Sequence, residues 1–488
     1  MSQVSMDQQS IEELQQSMQK GEFSAVELTL EYMRKIGENN QQGASLAAVI
    51  EINPDALFLA EAMDRERHRT GPRGSLHGIP VLIKDNINTA DAMHTSAGSM
   101  ALAKSYAGYD AFLVRKLRAA GAILLGKTNL TEWANFMADH MPNGYSSRGG
   151  QTLNPYGPGR LDVGGSSAGS GSAIAADFAT AAIGTETSGS ILSPSSQNSL
   201  VGIKPTVGLV SRRGIIPIAY SQDTAGPMTR TVRDAALLLN VIAGVDPDDA
   251  ATLTSQGQIL DDYTAGLTPE GLNRARIGVV KQFFSQLNDS QNQLMQAAFD
   301  VLRKQGAIVI EDLELIDPEE GDAGYEVLIY EFKSALNAYL KELPHHVSIR
   351  SLQDVIRFNE KDPERLLKFG QQMLLRAEAT SGTLTDAEYL NARRRDLHWS
   401  RQQNLDRLMA EHSLDALVSP GYFASSIAAK AGYPSVTVPA GYDDEGMPWG
   451  LTFTGCAFSE ARLLQLAYAY EQATLHRQAP KLSYRSEN

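Results

Sequence analysis

The stretch from Gly164 to Gly202 constrains this chain more than any other. It runs Gly-Gly-Ser-Ser-Ala-Gly-Ser-Gly-Ser, continues as an alanine-rich helical segment, and ends in Thr-Glu-Thr-Ser-Gly-Ser-Ile-Leu-Ser-Pro-Ser. Between Arg160 and Lys204 only Asp162, Asp177 and Glu186 carry charge, and neither histidine nor cysteine occurs. Glycine-dense turns expose backbone N–H groups, because no Cβ blocks an approaching substrate. Chemistry here must use hydroxyls and backbone amides, and its base must come from elsewhere in the chain.

The flanking sequence reads as an α/β protein. Ile11 to Ile36 gives amphipathic helical patterns broken near Gly21, with Ser24 placed to cap the second helix. Ser45 to Ile52, Pro80 to Ile83 and Ala122 to Leu125 read as strands, and Asp55 to His68 and Asp110 to Ala120 as helices, with a further helix begun at Leu130 to Phe136. Past the glycine-serine region come a short extended Leu209-Val-Ser and a helix from Val232 to Ala243. The strands Arg276 to Val280 and Ala307 to Ile310 then flank a helix from Gln291 to Lys304. From Gly324 to Glu411 the texture becomes helical and strongly charged over Glu326 to Leu343, Glu364 to Ala379 and Asp386 to Met409. That block reads as an insertion, a lid or substrate wall. Strands return at Ala416 to Ser419, Ser435 to Pro439 and Gly450 to Thr454, before a closing helix over Ser459 to Thr474 with Ser459 as its cap. No repeat or low-complexity linker divides the chain, so residues 1–488 read as one intertwined domain carrying the 324–411 excursion.

Bulk properties exclude several function classes. A net charge of −14, with no long basic run, argues against a general nucleic-acid binder. No run approaches the length of a membrane span, and the polar residues Met1 to Gln19 lack the apolar core of a signal peptide. Cys456 is the only cysteine, which rules out an intrachain disulfide and a cysteine-based metal site. A soluble cytoplasmic protein without metal or cofactor is the expectation.

Three familiar motifs match by letter and fail by context. Gly121-Ala-Ile-Leu-Leu-Gly-Lys-Thr128 fits the phosphate-loop pattern, but its interior Ala-Ile-Leu-Leu suits a strand rather than a loop that exposes N–H groups. Gly165-Ser-Ser167-Ala-Gly169 fits a nucleophile elbow, yet the loop-like Pro158-Gly-Arg-Leu-Asp-Val precedes it instead of a hydrophobic strand. Ser17-Met-Gln-Lys20 falls on a polar amphipathic helix without partner motifs. The nine histidines are dispersed, and no His-Glu-x-x-His occurs.

A buried lysine can supply the missing base, since desolvation disfavours its charged form. Lys84, Lys127 and Lys204 each follow an apolar strand, and spacing alone leaves the three open. Among the serines Ser190 has the best setting for a nucleophile. An apolar Phe178 to Ile183 segment leads into its tight turn, and the adjacent Gly189 lets a carbonyl oxygen approach consecutive N–H groups. Ser166, just ahead of the helix beginning near Ala168, sits at a dipole N-terminus and could relay a proton.

The chain resembles the amidase signature family over nearly its full length. The matching pieces are Gly78-Ile-Pro-Val-Leu-Ile-Lys84-Asp-Asn, Gly126-Lys-Thr-Asn-Leu, Gly164-Gly-Ser-Ser-Ala-Gly-Ser, Gly184-Thr-Glu-Thr-Ser-Gly-Ser190-Ile, Gly202-Ile-Lys-Pro-Thr and Asp223-Thr-Ala-Gly-Pro. The resemblance implies a Ser-Ser-Lys triad of nucleophile Ser190, bridging Ser166 and base Lys84, with a cis peptide bond before Ser166. It implies a large mixed, twisted sheet covered by helices on both sides. The backbone N–H groups of Thr187, Ser188, Gly189 and Ser190 are the expected oxyanion donors. Two positions depart from the family pattern, Ser188 for a glycine and Leu192 for an arginine. The second argues against a role like the transamidating subunit that forms glutaminyl-tRNA. Arg148-Gly-Gly-Gln-Thr-Leu-Asn-Pro, Ile215-Ile-Pro-Ile and Ala431-Gly-Tyr-Pro-Ser-Val-Thr-Val-Pro look most like the peptide amidase branch, which removes C-terminal amides of peptides. The expected partner is therefore a small-molecule or peptide amide, with no nucleic acid and no membrane. Aryl or aliphatic acylamide hydrolysis, and an inactive binding protein on the same fold, are the alternatives.

Overall fold

The structure is a computed structural model that describes residues 5–317 and 324–482. Its strands are β1 (Val49–Ile52), β2 (Pro80–Lys84), β3 (Ile123–Thr128), β4 (Tyr145–Ser146), β5 (Gly150–Gln151), β6 (Ala181–Glu186), β7 (Val201–Lys204), β8 (Thr224–Thr229), β9 (Arg276–Val280), β10 (Ile308–Leu313), β11 (Ala416–Pro420), β12 (Ser435–Tyr442) and β13 (Pro448–Thr454). All but the β4–β5 pair join one 11-stranded sheet in the order β1-β3-β2-β6-β8-β7-β12-β13-β11-β9-β10. The sheet is mixed. β2 runs parallel to both β3 and β6, whereas β6–β8, β8–β7 and β7–β12 are antiparallel.

The central strands are buried along their whole length, which explains their continuous apolar or small-residue sequences. The helix Ala168–Ala175 packs on β2, β6 and β8, and every one of its residues is buried. Only glycine, alanine, serine and one isoleucine fit so close to the sheet. Val232–Ile242 and Glu460–Thr474 pack on each other and on β8 and β12 respectively. Capping boxes at Ser10 and Ser24 start the first two helices, Ile11–Lys20 and Ala25–Asn39, the second as its sequence predicts.

Four local expectations are corrected. The turn at Glu132–Asn135 is not a right-handed helix, for Trp133, Ala134 and Asn135 have φ of 52°, 55° and 69°. Leu209 to Ser211 forms no strand and contributes only an isolated bridge between Val207 and Val210. The expected helix over Glu364 to Ala379 splits into Pro363–Leu366 and Gln372–Glu378 around Gly370, whose φ is 84°. Ser459 holds the cap position but its hydroxyl donates to the Cys456 carbonyl (2.7 Å), so it caps nothing.

The helical segment after residue 324 shares a hydrophobic core with the rest of the molecule. Phe332, Leu336 and Leu340 of the helix Glu326–Lys341 pack in one cluster with Trp133, Phe136, Ile216 and Ile218. Among the described residues no helix is long and apolar enough to cross a membrane.

Candidate active site

Parallel neighbours β2 and β6 end at the same edge of the sheet, where open α/β sheets place their ligands. Lys84 is the last residue of β2, and Thr185 and Glu186 are the last two of β6. The register pairs Ile83 with Ile183, which sets Lys84 beside the end of β6. Its side chain is fully buried. The Lys84 nitrogen lies 2.8 Å from Ser166 Oγ, 2.9 Å from Ser167 Oγ, 2.9 Å from Thr185 Oγ1 and 3.2 Å from the Thr185 carbonyl. Burial pulls its pKa down to about 7, against the opposing pull of Glu186 and Asp223. Among the described residues no carboxylate touches it. The amine is therefore poised between charged and neutral forms near neutral pH.

Geometry separates the three lysines that the sequence left open. Lys127 is also buried, but its ammonium is held by the Ile87 carbonyl and Thr95 Oγ1. Lys204 donates to the Tyr433 carbonyl at 2.6 Å. Neither reaches a serine of the glycine-rich stretch. The phosphate-loop lookalike is strand β3, in keeping with its apolar interior.

The Gly165–Ser166 peptide bond is cis, as the resemblance implies. The Ser166 carbonyl accepts the Thr131 N–H (3.0 Å), and the Ser190 carbonyl accepts the Ser167 N–H (3.1 Å). The second bond ties the two halves of the opening stretch together. Ser190 follows β6 in a turn folded around the Glu186 carboxylate. Glu186 Oε1 accepts from Gly189 N–H (2.7 Å), and Oε2 from Ile191 (2.7 Å) and Leu192 (3.0 Å). Burial raises the Glu186 pKa, while those three N–H groups pull it down.

This arrangement bears on the expected oxyanion donors. Gly189 N–H is already committed to Glu186, which corrects its inclusion as a free donor. Thr187, Ser188 and Ser190 have N–H groups with no protein acceptor among the described residues. Gly189 contributes its φ of 83° instead, a backbone region that favours glycine. Ser188, where the family pattern has a second glycine, keeps φ outside the positive range and turns its side chain outward. Leu192, in place of an arginine, is fully buried in the first turn of the helix Leu192–Gln197.

Ser190 is 7% exposed, and its hydroxyl makes no hydrogen bond to Ser166 among the described residues. Such bonds are often long before substrate binds. Two members of the cluster escaped sequence reasoning. Ser167 Oγ accepts from Lys84 and donates to the Thr185 carbonyl (3.1 Å), so the false elbow serine is a lysine holder. Thr185 Oγ1 also accepts from Asn86 Nδ2 (3.0 Å). Ser167's place next to Ser166 was the available signal for one, and strand register alone reveals the other. Asp223, pushed up to about 6 by burial, accepts the Thr187 hydroxyl and the N–H groups of Ile218 and Ala219.

A cavity of about 210 Å³ opens beside this cluster. It shares Asn86, Thr185, Glu186 and Thr187 with the site, and the helix Glu326–Lys341 with the following Glu342 forms its far wall.

With fold and site in view, the chain belongs to the amidase family of amide hydrolases, whose model matches residues 27–427. It is 43% identical over 487 residues to a probable amidase of Arabidopsis thaliana, across 98% of this chain and 92% of that one. The native peptide amidase of Stenotrophomonas maltophilia superposes with a TM-score of 0.91 at 47% identity, covering 98% of this chain and 99% of its own. An amidase family protein from Bacillus anthracis str. Ames gives a TM-score of 0.93 at 40% identity, over 98% and 93% of the two chains.

Proposed function

We propose that this protein hydrolyses carboxamides, foremost the C-terminal amides of peptides, through an acyl-enzyme on Ser190. The observation that carries the reading is the fully buried Lys84 amine, 2.8 Å from Ser166 and without a carboxylate contact among the described residues. A neutral amine has two protons to donate and one lone pair. Ser167 Oγ donates its own proton to the Thr185 carbonyl, so it takes one proton from Lys84. Thr185 takes the other, which leaves the lone pair for the Ser166 proton.

From that state Ser190 attacks the amide carbonyl while its proton passes to Ser166 and the Ser166 proton to Lys84. The N–H groups of Thr187, Ser188 and Ser190 receive the oxyanion, and one such donor is worth about 100- to 1000-fold in rate. The same path returns a proton to the departing amine, and water then cleaves the acyl-enzyme. The helical block from residue 324 serves as the substrate wall of one domain. Likeness to the Stenotrophomonas maltophilia peptide amidase supports the choice of peptide amides. A cytoplasmic setting is part of this reading, since a single cysteine leaves no intrachain disulfide to form.

A panel of amidated peptides, simple carboxamides and anilides, with ammonia or amine release measured for each, tests the reading. Amidated peptides should be the best substrates. Labelling by a fluorophosphonate should be complete in the wild type and absent in Ser190→Ala. Wild-type turnover by Ser190→Ala would overturn the assignment.

A further inference from the structure

The cavity beside Thr187 has a size and a charge pattern that bear on which amides enter. At about 210 Å³ it is smaller than the roughly 300 Å³ at which pockets for drug-sized ligands begin. That suits one amino-acid side chain. Ammonia, the group leaving a primary carboxamide, is far too small to need it, so the cavity belongs to the acyl part. Ile216, Ile218, Ala134, Ala335 and Tyr339 give it mainly apolar walls.

Its charged lining is unbalanced. Five carboxylates, Glu186, Asp223, Asp248, Asp249 and Glu342, face two cations, Arg212 and Arg213. Both cations are already engaged. Arg212 holds Asp249 through Nε (3.0 Å) and Nη2 and also donates to the Tyr220 carbonyl. Arg213 pairs with Glu342 (2.8 Å) while lying 5.0 Å over the Tyr109 ring, and the Tyr109 hydroxyl donates to the same Glu342 (3.1 Å). A carboxylate entering the cavity would meet acids and find no free cation. An apolar or amide side chain would meet no such repulsion.

Resting on the amide-hydrolysis reading above, we propose that the cavity seats the side chain of the residue bearing the scissile carboxamide. We propose further that Glu342, by occupying Arg213, makes it refuse an anionic side chain. Glu342 is thus a specificity-determining residue, placed on the substrate wall rather than in the chemistry. Its removal frees the Arg213 guanidinium, a lining group of the cavity that packs over the Tyr109 ring and whose side chain is only about one third exposed.

The test compares N-acetylated dipeptide amides ending in glutamine and in glutamate, near-isosteres that differ in charge. A parallel pair is hexanamide and the monoamide of adipic acid. For the wild type, kcat/KM should be at least about tenfold lower for the anionic member of each pair, because like-charge juxtaposition is strongly unfavourable. Glu342→Gln should shrink that ratio about tenfold, and adding Arg213→Ala to it should restore the discrimination. Thermal melting of each variant verifies folding. Dipeptide amides cleaved without discrimination, or a ratio unmoved in folded Glu342→Gln, would overturn the inference and leave the peptide-amide reading standing. Discrimination within the hexanamide pair, with no dipeptide amide cleaved, would uphold the cavity assignment and overturn the peptide reading.

Discussion

The Ser167 backbone N–H donates to the Ser190 carbonyl at 3.1 Å, locking the turn after β6 onto the start of the helix Ala168–Ala175. The Ser167 hydroxyl faces the other way, to Lys84 and Thr185. One residue thus fixes both the proposed nucleophile and the proposed base. Ser167→Ala keeps the backbone bond and removes the hydroxyl. The expected result is a fall in kcat of about 10- to 100-fold, the equivalent of one hydrogen bond to an ionisable group. KM should change little, and fluorophosphonate labelling of Ser190 should be slowed but complete.

The pH dependence follows from Lys84. Its amine must be neutral to accept a proton, and burial lowers its pKa to about 7. Activity should therefore rise as pH climbs through about 7 and then level off. Lys84→Met should abolish turnover. Stability moves in the same sense as activity, because between about 7 and the ordinary lysine value the unfolded chain binds more protons than the folded one. Below pH 7 the native state carries the full cost of the depressed pKa, roughly 5 kcal/mol by linkage. Lys84→Met should accordingly melt higher than the wild type at pH 6, with the gap narrowing by pH 9. A wild-type profile flat from pH 5 to 9 would remove Lys84 from the role of base.

The architecture of this site was legible in uneven measure. Continuous apolar runs made β2, β3 and β6 visible, because strands buried on both faces need no alternation. Ser190 and Ser166 stand out by their local setting in the sequence, whereas Lys84 is singled out only by the family resemblance, since three lysines have equal claims by spacing alone. Thr185 stayed hidden because its meeting with Lys84 depends on the register of two strands about 100 residues apart. The left-handed turn at Trp133 to Asn135 has no local signature, because those residue types read as a right-handed helix in isolation. The cavity is assembled from Asn86, Ala134, the 212–224 loop and the 335–342 helix face, and no local pattern foretells it.

Glu186 gives a prediction that separates turn structure from charge. Its two carboxylate oxygens accept three N–H groups, Gly189 on one side and Ile191 and Leu192 on the other. Glu186→Gln offers only one oxygen, and its NH2 must face N–H donors. A loss of about 1–3 kcal/mol in stability is expected. Glu186 also raises the Lys84 pKa, so its neutralisation should shift the rising limb of the pH profile toward acid. A variant with reduced melting temperature and an unmoved limb would show that Glu186 shapes the turn without acting on Lys84.

Gly169 tests how tightly the helix behind Ser166 must approach the sheet. A Cβ there would lie 2.4 Å from the carbonyl oxygens of both Ala48 and Asn129. The Gly169 N–H already donates to that Asn129 oxygen at 3.0 Å, so the clash falls on a backbone hydrogen bond. Both obstacles are main-chain atoms, which cannot swing aside as a side chain would. Gly169→Ala should cost about 3 kcal/mol or more, the upper end of overpacking penalties. Gly74→Ala, with nothing within 4 Å of its Cβ and no positive φ, should stay within about 0.5 kcal/mol of the wild type. Chemical denaturation of the two variants separates the outcomes. Equal midpoints would mean that Ala168–Ala175 can lift from β2 and β6, and that Ser166 is not held against Lys84 by the packing of its own helix.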